Sequence, residues 1–328
     1  MPFPIRSPAR SRRGLRKRRQ DYRLNFPRTP SITKNFHGIS GYIERAALQF
    51  FESIERLHRS LRTIFKNERS DIPQTGKSSL VVTIEKLKVA YFPVPKAANT
   101  SMKHLLHGIK TGKRFTTTTD QATGAVRHIH REYRTPKFSS IKSEDYRGFF
   151  KIAIVRDPVE RVVSAWRNRV MHHKELEDGS TAEKIHHVGL PQKPTLPQFV
   201  ECLEEYRAVN KSIAVHTAPL VDFLGPSRNY YDLIFDISES RQIEVFFSTL
   251  TGEDRKLPVK QIGGPPANRD QLPDELVQKL EGIYKDDYRL FGDVFGRQTD
   301  LQLIAKRAKR HKASLNGFLA RLKSRLLK

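Results

Sequence analysis

The residues best suited to chemistry lie in one short stretch that combines a lysine, two hydroxyl side chains and small residues. The stretch consists of Pro95, Lys96, Ala97, Ala98, Asn99, Thr100 and Ser101. An ammonium group, free backbone N–H groups and hydroxyls together suit a phosphate or a similar anion. The alternative is an ordinary helix start with a chance lysine, and this stretch alone does not decide between the two.

The residues on either side of this stretch predict its place in the fold. The apolar run Val89–Phe92 is typical of a buried strand, which Pro93 and Pro95 end because proline donates no hydrogen bond to a sheet. A helical pattern of apolar residues follows at Met102, Leu105, Leu106 and Ile109. The stretch therefore joins a strand to the N-terminus of a helix, where unpaired N–H groups and the helix dipole attract anions.

A second strand-to-helix unit places an arginine where a ligand is expected. The apolar run that ends at Val155 predicts a central strand, and Asp157 and Pro158 are a favourable N-cap and first residue of a helix. Arg156 then lies at the carboxyl end of its strand, where open α/β sheets bind ligands. Arg156 and Ser164 could hold a second phosphate, and the alternative for Arg156 is a structural ion pair.

Two histidines lie between these two units. His128 and His130 are two residues apart, so on a strand they would share one face. A neutral imidazole is a suitable general base near pH 7. Such a pair is also common as a surface or structural feature, and the spacing alone does not separate these roles.

The charge of the chain is high and lies mainly near its ends. The 328 residues carry a net charge of +25, with eleven Lys/Arg and one acid in residues 1–34 and ten Lys/Arg and one acid in residues 297–328. Such segments suit nucleic acid, anionic lipid or an acidic polymer, and otherwise serve solubility. The sequence between them shows no helix-turn-helix, zinc-finger or RNA-binding signature that would indicate a nucleic-acid-binding domain.

Other patterns narrow the class of protein further. The one cysteine, Cys202, excludes an internal disulfide framework, and the lack of an 18-residue apolar run argues against a transmembrane helix. Residues 40–66 have apolar residues at alternating spacings of three and four, typical of a helix that packs on the domain, forms a homodimer or lies on a membrane surface. Residues 301–327 form a basic amphipathic pattern, which suits docking on the domain and an anionic membrane surface equally well.

Together the motifs resemble those of sulfotransferases that use 3′-phosphoadenosine 5′-phosphosulfate (PAPS). Residues 95–101 are similar to their 5′-phosphosulfate loop, and residues 155–165 are similar to their 3′-phosphate segment. The stretch Tyr284-Lys285-Asp286-Asp287-Tyr288-Arg289-Leu290-Phe291-Gly292 is similar to a C-terminal signature of the carbohydrate sulfotransferases. The resemblance covers residues 88–292 and is closest to the branch with heparan sulfate 2-O-type and chondroitin- or dermatan-type enzymes.

This resemblance implies a fold and a reaction. The fold is α/β and akin to P-loop kinases, with a central, mostly parallel sheet flanked by helices. The reaction is the in-line transfer of a sulfuryl group from PAPS to a hydroxyl of a carbohydrate or glycolipid acceptor. Positioning and electrostatics would carry this chemistry, as in phosphoryl transfer, and no metal is required.

The resemblance also implies roles for single residues by their position in the motifs. Lys96 would stabilise charge on the leaving oxygen, and residues 95–101 would hold the 5′-phosphosulfate. Arg156 and Ser164 would bind the 3′-phosphate. The general base would be His128 or His130, with no means of choosing between them. His216 begins a segment that is weakly similar to a substrate-side segment of the branch, so it is expected to bind the acceptor.

The expected organisation has four parts. They are a basic disordered arm (1–38), an amphipathic helix (39–70), the sulfotransferase domain (80–296) and a basic amphipathic tail (297–328). Golgi members of the family have a membrane anchor and often cysteine pairs, which this sequence does not show. We therefore expect a bacterial-type relative that acts in the cytoplasm and is at most peripheral to a membrane.

Two other functions compete with this one. The first is a nucleic-acid-binding protein that uses the two cationic tails, for which strongly salt-dependent binding would be the signature. The second is a kinase-like phosphoryl transferase, against which the missing glycine-rich P-loop argues.

Overall fold

The computed structural model describes residues 81–260 and 263–326, which fall in one compact unit of the chain, Gly76–Lys328. The predicted arm (1–38) and the predicted helix (39–70) lie outside the described residues. A homodimer through residues 40–66 therefore stays a prediction.

A four-stranded sheet forms the centre of this unit. In chain order its strands are β1 (Val82–Ile84), β2 (Val89–Phe92), β5 (Phe150–Val155) and β6 (Leu233–Asp236), and their order in the sheet is β1-β2-β5-β6. Strand β1 is antiparallel to β2, whereas β2, β5 and β6 are parallel. Two short exposed strands, β3 (Thr118–Thr119) and β4 (Val126–Arg127), form a separate hairpin. The prediction of a mostly parallel sheet is confirmed.

Helices make up most of the rest of the described chain. In order they are α1 (Asn99–Thr111), α2 (Ile129–Glu132), α3 (Pro158–Ala165), α4 (Gly179–His187), α5 (Leu196–Glu201), α6 (Leu203–Val209), α7 (Lys211–Thr217), α8 (Val221–Leu224), α9 (Ser240–Thr251), α10 (Asp274–Ile283), α11 (Lys285–Phe291) and α12 (Leu301–Leu326). A π-helical stretch, Trp166–His172, continues α3. Such stretches are frequent at functional sites.

The two predicted strand-to-helix units are both present. Strand β2 leads through a loop into α1, and β5 leads directly into α3. The Asp157 side chain caps α3 by accepting a hydrogen bond from the Glu160 N–H at 3.1 Å, and Pro158 is the first helical residue. Because β2 and β5 are neighbouring parallel strands, the two connections lie side by side at the carboxyl edge of the sheet.

Two hydrophobic clusters stabilise the unit, one around the sheet and one among the helices. The second cluster packs α3 and its π-helical continuation against α5, α6, α7 and α10. The first contains the sheet strands and also Ile304 and Ala308 of α12, which are fully buried. The segment expected as a tail (297–328) is thus in part a component of the domain, because the apolar side of its first turns packs into the core.

Candidate active site

The loop between β2 and α1 has an unusual backbone that opens the helix N-terminus. Lys96 and Ala98 have φ values of 63° and 50°, in the left-handed region that costs a residue with a side chain about 1–3 kcal/mol. The first helical hydrogen bond of α1 runs from the Met102 N–H to the Ala98 carbonyl at 2.9 Å. The N–H groups of residues 99–101 therefore have no acceptor within the helix and are available to an anion.

A cavity of about 370 Å³, which we call the donor cavity, lies at this helix start. Seven of the residues predicted to bind the donor line it, namely Lys96, Ala98, Asn99, Thr100, Ser101, Arg156 and Ser164. Of the other two, Ala97 is fully buried in the core and Pro95 lines a neighbouring cavity. The far wall comes from Ile237, Ser240, Glu244 and residues 257–260, which no motif in the sequence indicated.

Arg156 reaches this cavity while it is also part of an ion pair. Its Nη2 lies 3.0 Å from Oε2 of Glu160, one turn into α3. The other oxygen of Glu160 accepts a hydrogen bond from the Arg269 N–H at 3.1 Å. Both sequence interpretations of Arg156 are thus compatible, because the ion pair orients a guanidinium that still lines the cavity.

A second cavity of about 500 Å³, the acceptor cavity, adjoins the first. Lys96, Asn99 and Thr100 line both cavities. The remaining lining residues are Pro95, His128, His130, Arg134, Thr135, Arg169, His173, Val215 and His216. The structure thus brings together all three histidines singled out in the sequence. It adds Arg134, Thr135, Arg169 and His173, for which the sequence offered no signal beyond a local excess of basic residues.

We expected His128 and His130 to lie on a strand, and the structure places them elsewhere. Strand β4 ends at Arg127, and His128 is the N-cap of the short helix α2, with its Nδ1 accepting from the His130 N–H at 3.4 Å. Their rings are nevertheless stacked, with centroids 5.2 Å apart. His128 is exposed, whereas His130 is half-buried.

Both ring nitrogens of His130 are hydrogen-bonded to protein side chains. Nε2 lies 2.9 Å from Oγ1 of Thr100, and Nδ1 lies 3.0 Å from Nζ of Lys103. Lys103 is fully buried, and burial lowers its pKa to about 7. Burial, followed by the charge of Lys103, lowers the pKa of His130 to about 3, so that its ring is neutral. His130 therefore links the donor loop to a buried lysine.

His216 has a different environment. Its Nδ1 lies 2.8 Å from the carbonyl oxygen of Ser212, which can only accept, so Nδ1 carries the proton. In the neutral ring Nε2 is then unprotonated. Burial, followed by the charge of Arg169, lowers the pKa of His216 to about 3 and keeps the ring neutral. The Nε2 atom of this histidine can therefore accept a hydrogen bond from a bound hydroxyl.

Lys96 lies at the junction of the two cavities. Its Nζ donates to Oδ1 of Asn168 at 2.9 Å. Burial is the largest cause that lowers its pKa to about 7, followed by repulsion from Arg169, Arg156 and Arg167. A cluster of cations that repel one another in a partly buried site is favourable for a multiply charged anion.

Segment 217–221 directly follows Val215 and His216, which line the acceptor cavity, and is held by buried polar groups. Arg161 is 1% exposed; it donates from Nε to the Pro95 carbonyl at 3.2 Å and from Nη2 to the Ala218 carbonyl at 3.0 Å. Asp287 is fully buried and accepts from the N–H groups of Leu220 and Val221 at 2.7 and 3.0 Å.

The C-terminal signature contributes more contacts to this scaffold. The Tyr284 hydroxyl donates to the Thr217 carbonyl, and the Tyr288 hydroxyl donates to Oδ2 of Asp157, the cap of α3, at 2.9 Å. Tyr284 and Asp287 of the signature thus contact segment 217–221, and Tyr288 contacts the start of α3.

Within the described residues, no group of three or more His, Cys, Asp and Glu side chains is placed to hold a metal ion. None of the helices there has both the length and the apolar character needed to cross a membrane.

Comparison with known proteins agrees with this geometry. Residues 79–293, more than half of the chain, match the Sulfotransferase family. Carbohydrate sulfotransferase 10 of Mus musculus is 27% identical over 191 residues, which is 56% of this chain and 49% of the relative. The same enzyme of Gallus gallus is 26% identical over 46% of this chain and 44% of the relative. Carbohydrate sulfotransferase 14 of Mus musculus is 26% identical over 44% of this chain and 42% of the relative.

The chain thus spans less than half of the length of these curated relatives. No solved structure matches it. The family match covers both strand-to-helix units and the C-terminal signature, and on this ground the chain belongs to the sulfotransferase family.

Proposed function

We propose that this protein transfers a sulfuryl group from PAPS to a hydroxyl group of a carbohydrate or glycoconjugate. The observation that carries the proposal is that Lys96, Asn99 and Thr100 line both cavities. A group bound in the donor cavity and a hydroxyl bound in the acceptor cavity would meet at these residues, as an in-line transfer between two substrates requires.

The donor cavity fits a nucleotide with phosphate groups at two positions. The open N–H groups of residues 99–101 and the Lys96 ammonium would hold the 5′-phosphosulfate. Arg156, oriented by Glu160, and Ser164 would hold the 3′-phosphate. The mutual repulsion of the cations around Lys96 supports this assignment, because a bound polyanion relieves it.

The donor supplies a sulfuryl group whose bond to the bridging oxygen of the 5′-phosphate is weak. The acceptor oxygen forms the new bond to sulfur, the bond from sulfur to the bridging oxygen breaks, and 3′,5′-adenosine bisphosphate leaves. Lys96 would stabilise the negative charge that develops on the bridging oxygen. The expectation that no metal takes part stays a prediction.

The proton of the acceptor hydroxyl needs an unprotonated base. The family resemblance assigns this role to His128 or His130 and assigns acceptor binding to His216. All three line the acceptor cavity, and the pKa values of His130 and His216 are lowered to about 3. The unprotonated Nε2 of His216 also makes it able to act as the base.

Variants with each of these histidines changed to glutamine distinguish the roles. Loss of a general base should lower kcat by about 10²-fold or more, whereas loss of an acceptor-binding residue should mainly raise the acceptor KM. A large loss of kcat in His216→Gln alone would move the base from the His128–His130 pair to His216.

The acceptor class follows from the printed names of the relatives, carbohydrate sulfotransferases 10 and 14. We extend to this chain only that class, a hydroxyl of a carbohydrate or glycolipid. The heparan- or chondroitin-type branch, the cytoplasmic location and the dimer stay predictions.

Binding of 3′,5′-adenosine bisphosphate tests the donor site directly. At about a hundred times its dissociation constant, the ligand should stabilise the wild type by roughly 2.7 kcal/mol in thermal unfolding. Arg156→Ala should lose most of this gain, and Arg289→Ala, on the exposed side of α11, should keep it. A folded wild type that shows no shift at millimolar ligand would contradict the proposed function.

A further inference from the structure

Helix α12 has one apolar stripe along its length, and the buried part of this stripe lies in the first half of the helix. Ile304 and Ala308 are fully buried. One turn further on, Nε2 of His311 donates to the Leu87 carbonyl at 2.8 Å, and its ring lies 4.8 Å from that of Phe150. The sequence left docking on the domain and a membrane surface as alternatives, and this half of the helix has the first role.

The stripe continues past this docked half at the same helical spacing. Leu315, Phe318, Leu319 and Leu322 follow at intervals of three, one and three residues, which places them on the side that carries Ile304 and Ala308. Phe318, Leu319 and Leu322 are 52%, 49% and 46% exposed. Leu315 is half-buried, and the four side chains together form the patch that we call the free stripe. A contiguous exposed apolar patch of this kind is typical of an interaction site.

The charge of α12 indicates the kind of partner. Residues 301–326 contain eight Lys/Arg and no Asp or Glu. On a helical wheel Arg321 and Lys323 flank the free stripe, so their guanidinium and ammonium groups can reach past it. An apolar stripe edged by cations is the pattern of a helix that lies in the headgroup region of an anionic bilayer.

The direction of α12 determines where the free stripe lies relative to the two cavities. Before the helix begins, the Thr299 N–H donates to Oε1 of Glu239 at 2.6 Å, near the carboxyl end of β6. The contacts of His311 are with Leu87 and Phe150, at the amino ends of β2 and β5. The helix thus crosses from the edge of the sheet that carries the donor loop to the opposite edge, and the free stripe extends beyond it.

We propose that the free stripe of α12 binds the surface of an anionic lipid membrane and holds the domain there with both cavities open to the aqueous side. The proposal is independent of the transfer reaction. Its two requirements are apolar contact by Phe318 and its neighbours and attraction of the flanking cations to anionic lipid.

Co-sedimentation of the full-length protein with lipid vesicles tests the proposal. We expect binding to vesicles of phosphatidylcholine with about 30% phosphatidylserine and little binding to phosphatidylcholine alone. Phe318→Glu should weaken the binding at least tenfold. Ser324→Glu adds the same charge on the opposite, exposed side of the helix and should weaken it less than about threefold.

Several results would overturn the proposal. One is no binding of the wild type to anionic vesicles. Another is equal vesicle binding by Phe318→Glu and the wild type, which would assign the binding to another basic segment. A lower thermal stability of Phe318→Glu with unchanged vesicle binding would show that another part of the chain covers the stripe. Tighter binding to RNA or DNA than to vesicles, with the same loss in Phe318→Glu, would assign the surface to nucleic acid.

A control shows that the variant is folded. Phe318→Glu should bind 3′,5′-adenosine bisphosphate with the same dissociation constant as the wild type.

Discussion

The donor side and the acceptor side of the site are built in different ways. The cationic wall of the donor side comes from one contiguous loop, residues 96–101, and from Arg156 just after the neighbouring strand, while residues between 237 and 260 form the far wall. The acceptor side collects residues from α2, the π-helical stretch and α7, which are far apart in the sequence. The segment that follows its residues Val215 and His216 is held by buried polar groups such as Arg161 and Asp287.

Because of this difference, the two proposed substrates depend on different structural features for their positioning. The donor loop takes its shape from a strand end and a helix start, and these are stabilised by the sheet itself. The segment after His216 depends on hydrogen bonds to buried charges, and each such bond is costly to lose because its partner stays buried. Changes in this scaffold that leave the Pro95 contact of Arg161 intact should therefore damage acceptor use while donor binding stays nearly intact.

Lys96 is the strongest test of the comparison because it lies on both sides. Lys96→Met should lower kcat by about 10²–10³-fold with both substrates saturating, because it removes the charge that stabilises the leaving oxygen. Steady-state kinetics measures this effect. Lys110→Met, at an exposed position on α1, should retain wild-type kcat. A kcat reduced less than tenfold in Lys96→Met would show that the junction of the cavities is not the place of transfer.

Asp287→Asn should separate the two sides. One carboxylate oxygen of Asp287 accepts from the Leu220 N–H and the other from the Val221 N–H. The amide of asparagine keeps one oxygen acceptor and places its NH2 group against the second N–H, so the free energy of unfolding should fall by about 1–3 kcal/mol. The acceptor KM should rise roughly tenfold or more in consequence. Titration with 3′,5′-adenosine bisphosphate should give a dissociation constant within about twofold of the wild type. The control is Asp286→Asn, at the exposed neighbouring position.

An equal loss of donor and acceptor affinity in Asp287→Asn would contradict the comparison. It would mean that the scaffold supports the domain as a whole and not the acceptor side in particular.

The donor side could be predicted from the sequence because its signals are local. The apolar run of β2, the prolines after it and the helical pattern of α1 fixed the position of Lys96. The cap and the first proline of α3 likewise fixed Arg156 at a strand end. Neighbouring parallel strands then bring the two connections together without further information.

The acceptor side could be predicted only in part. The histidines were found by residue type, but their contacts could not be predicted. The contact of His130 with Lys103 depends on the burial of that lysine, which the sequence of α1 does not indicate. The bonds of Arg161 and Asp287 join residues 57 to 67 positions apart, beyond the reach of local periodicity. The C-terminal signature was recognised as a pattern, whereas its role as a scaffold depends on tertiary contacts.

Arg161 tests whether the two sides are mechanically linked. Arg161→Lys retains the charge but cannot reach both the Pro95 and the Ala218 carbonyls, so the donor dissociation constant and the acceptor KM should each rise by about tenfold. Arg207→Lys is the matched control, because Arg207 contacts Thr217 and Tyr284 on the acceptor side alone. We expect Arg207→Lys to raise only the acceptor KM. Donor affinity unchanged in Arg161→Lys would show that the Pro95 contact is dispensable.

The smallest effect concerns pH and belongs to the donor side. In the free protein the pKa of Lys96 is lowered to about 7, mainly by burial, and a bound anion should raise it again. Binding then favours the protonated lysine, so the donor-site affinity is highest below pH 7 and falls as the pH rises above it. Between pH 7 and 8 the dissociation constant of 3′,5′-adenosine bisphosphate should rise by about fivefold, as measured by calorimetry.

Lys96→Arg provides the control for this pH dependence. An arginine stays protonated throughout this range, so its binding curve should be flat between pH 7 and 8. If the variant kept the same slope as the wild type, the proton would belong to another group. Lys103, whose pKa is also lowered to about 7 and which bonds to His130, would be the first to examine. Because Lys103 lies behind the donor loop, Lys103→Met should then remove the slope, and the pH dependence would report the link between the loop and the acceptor cavity.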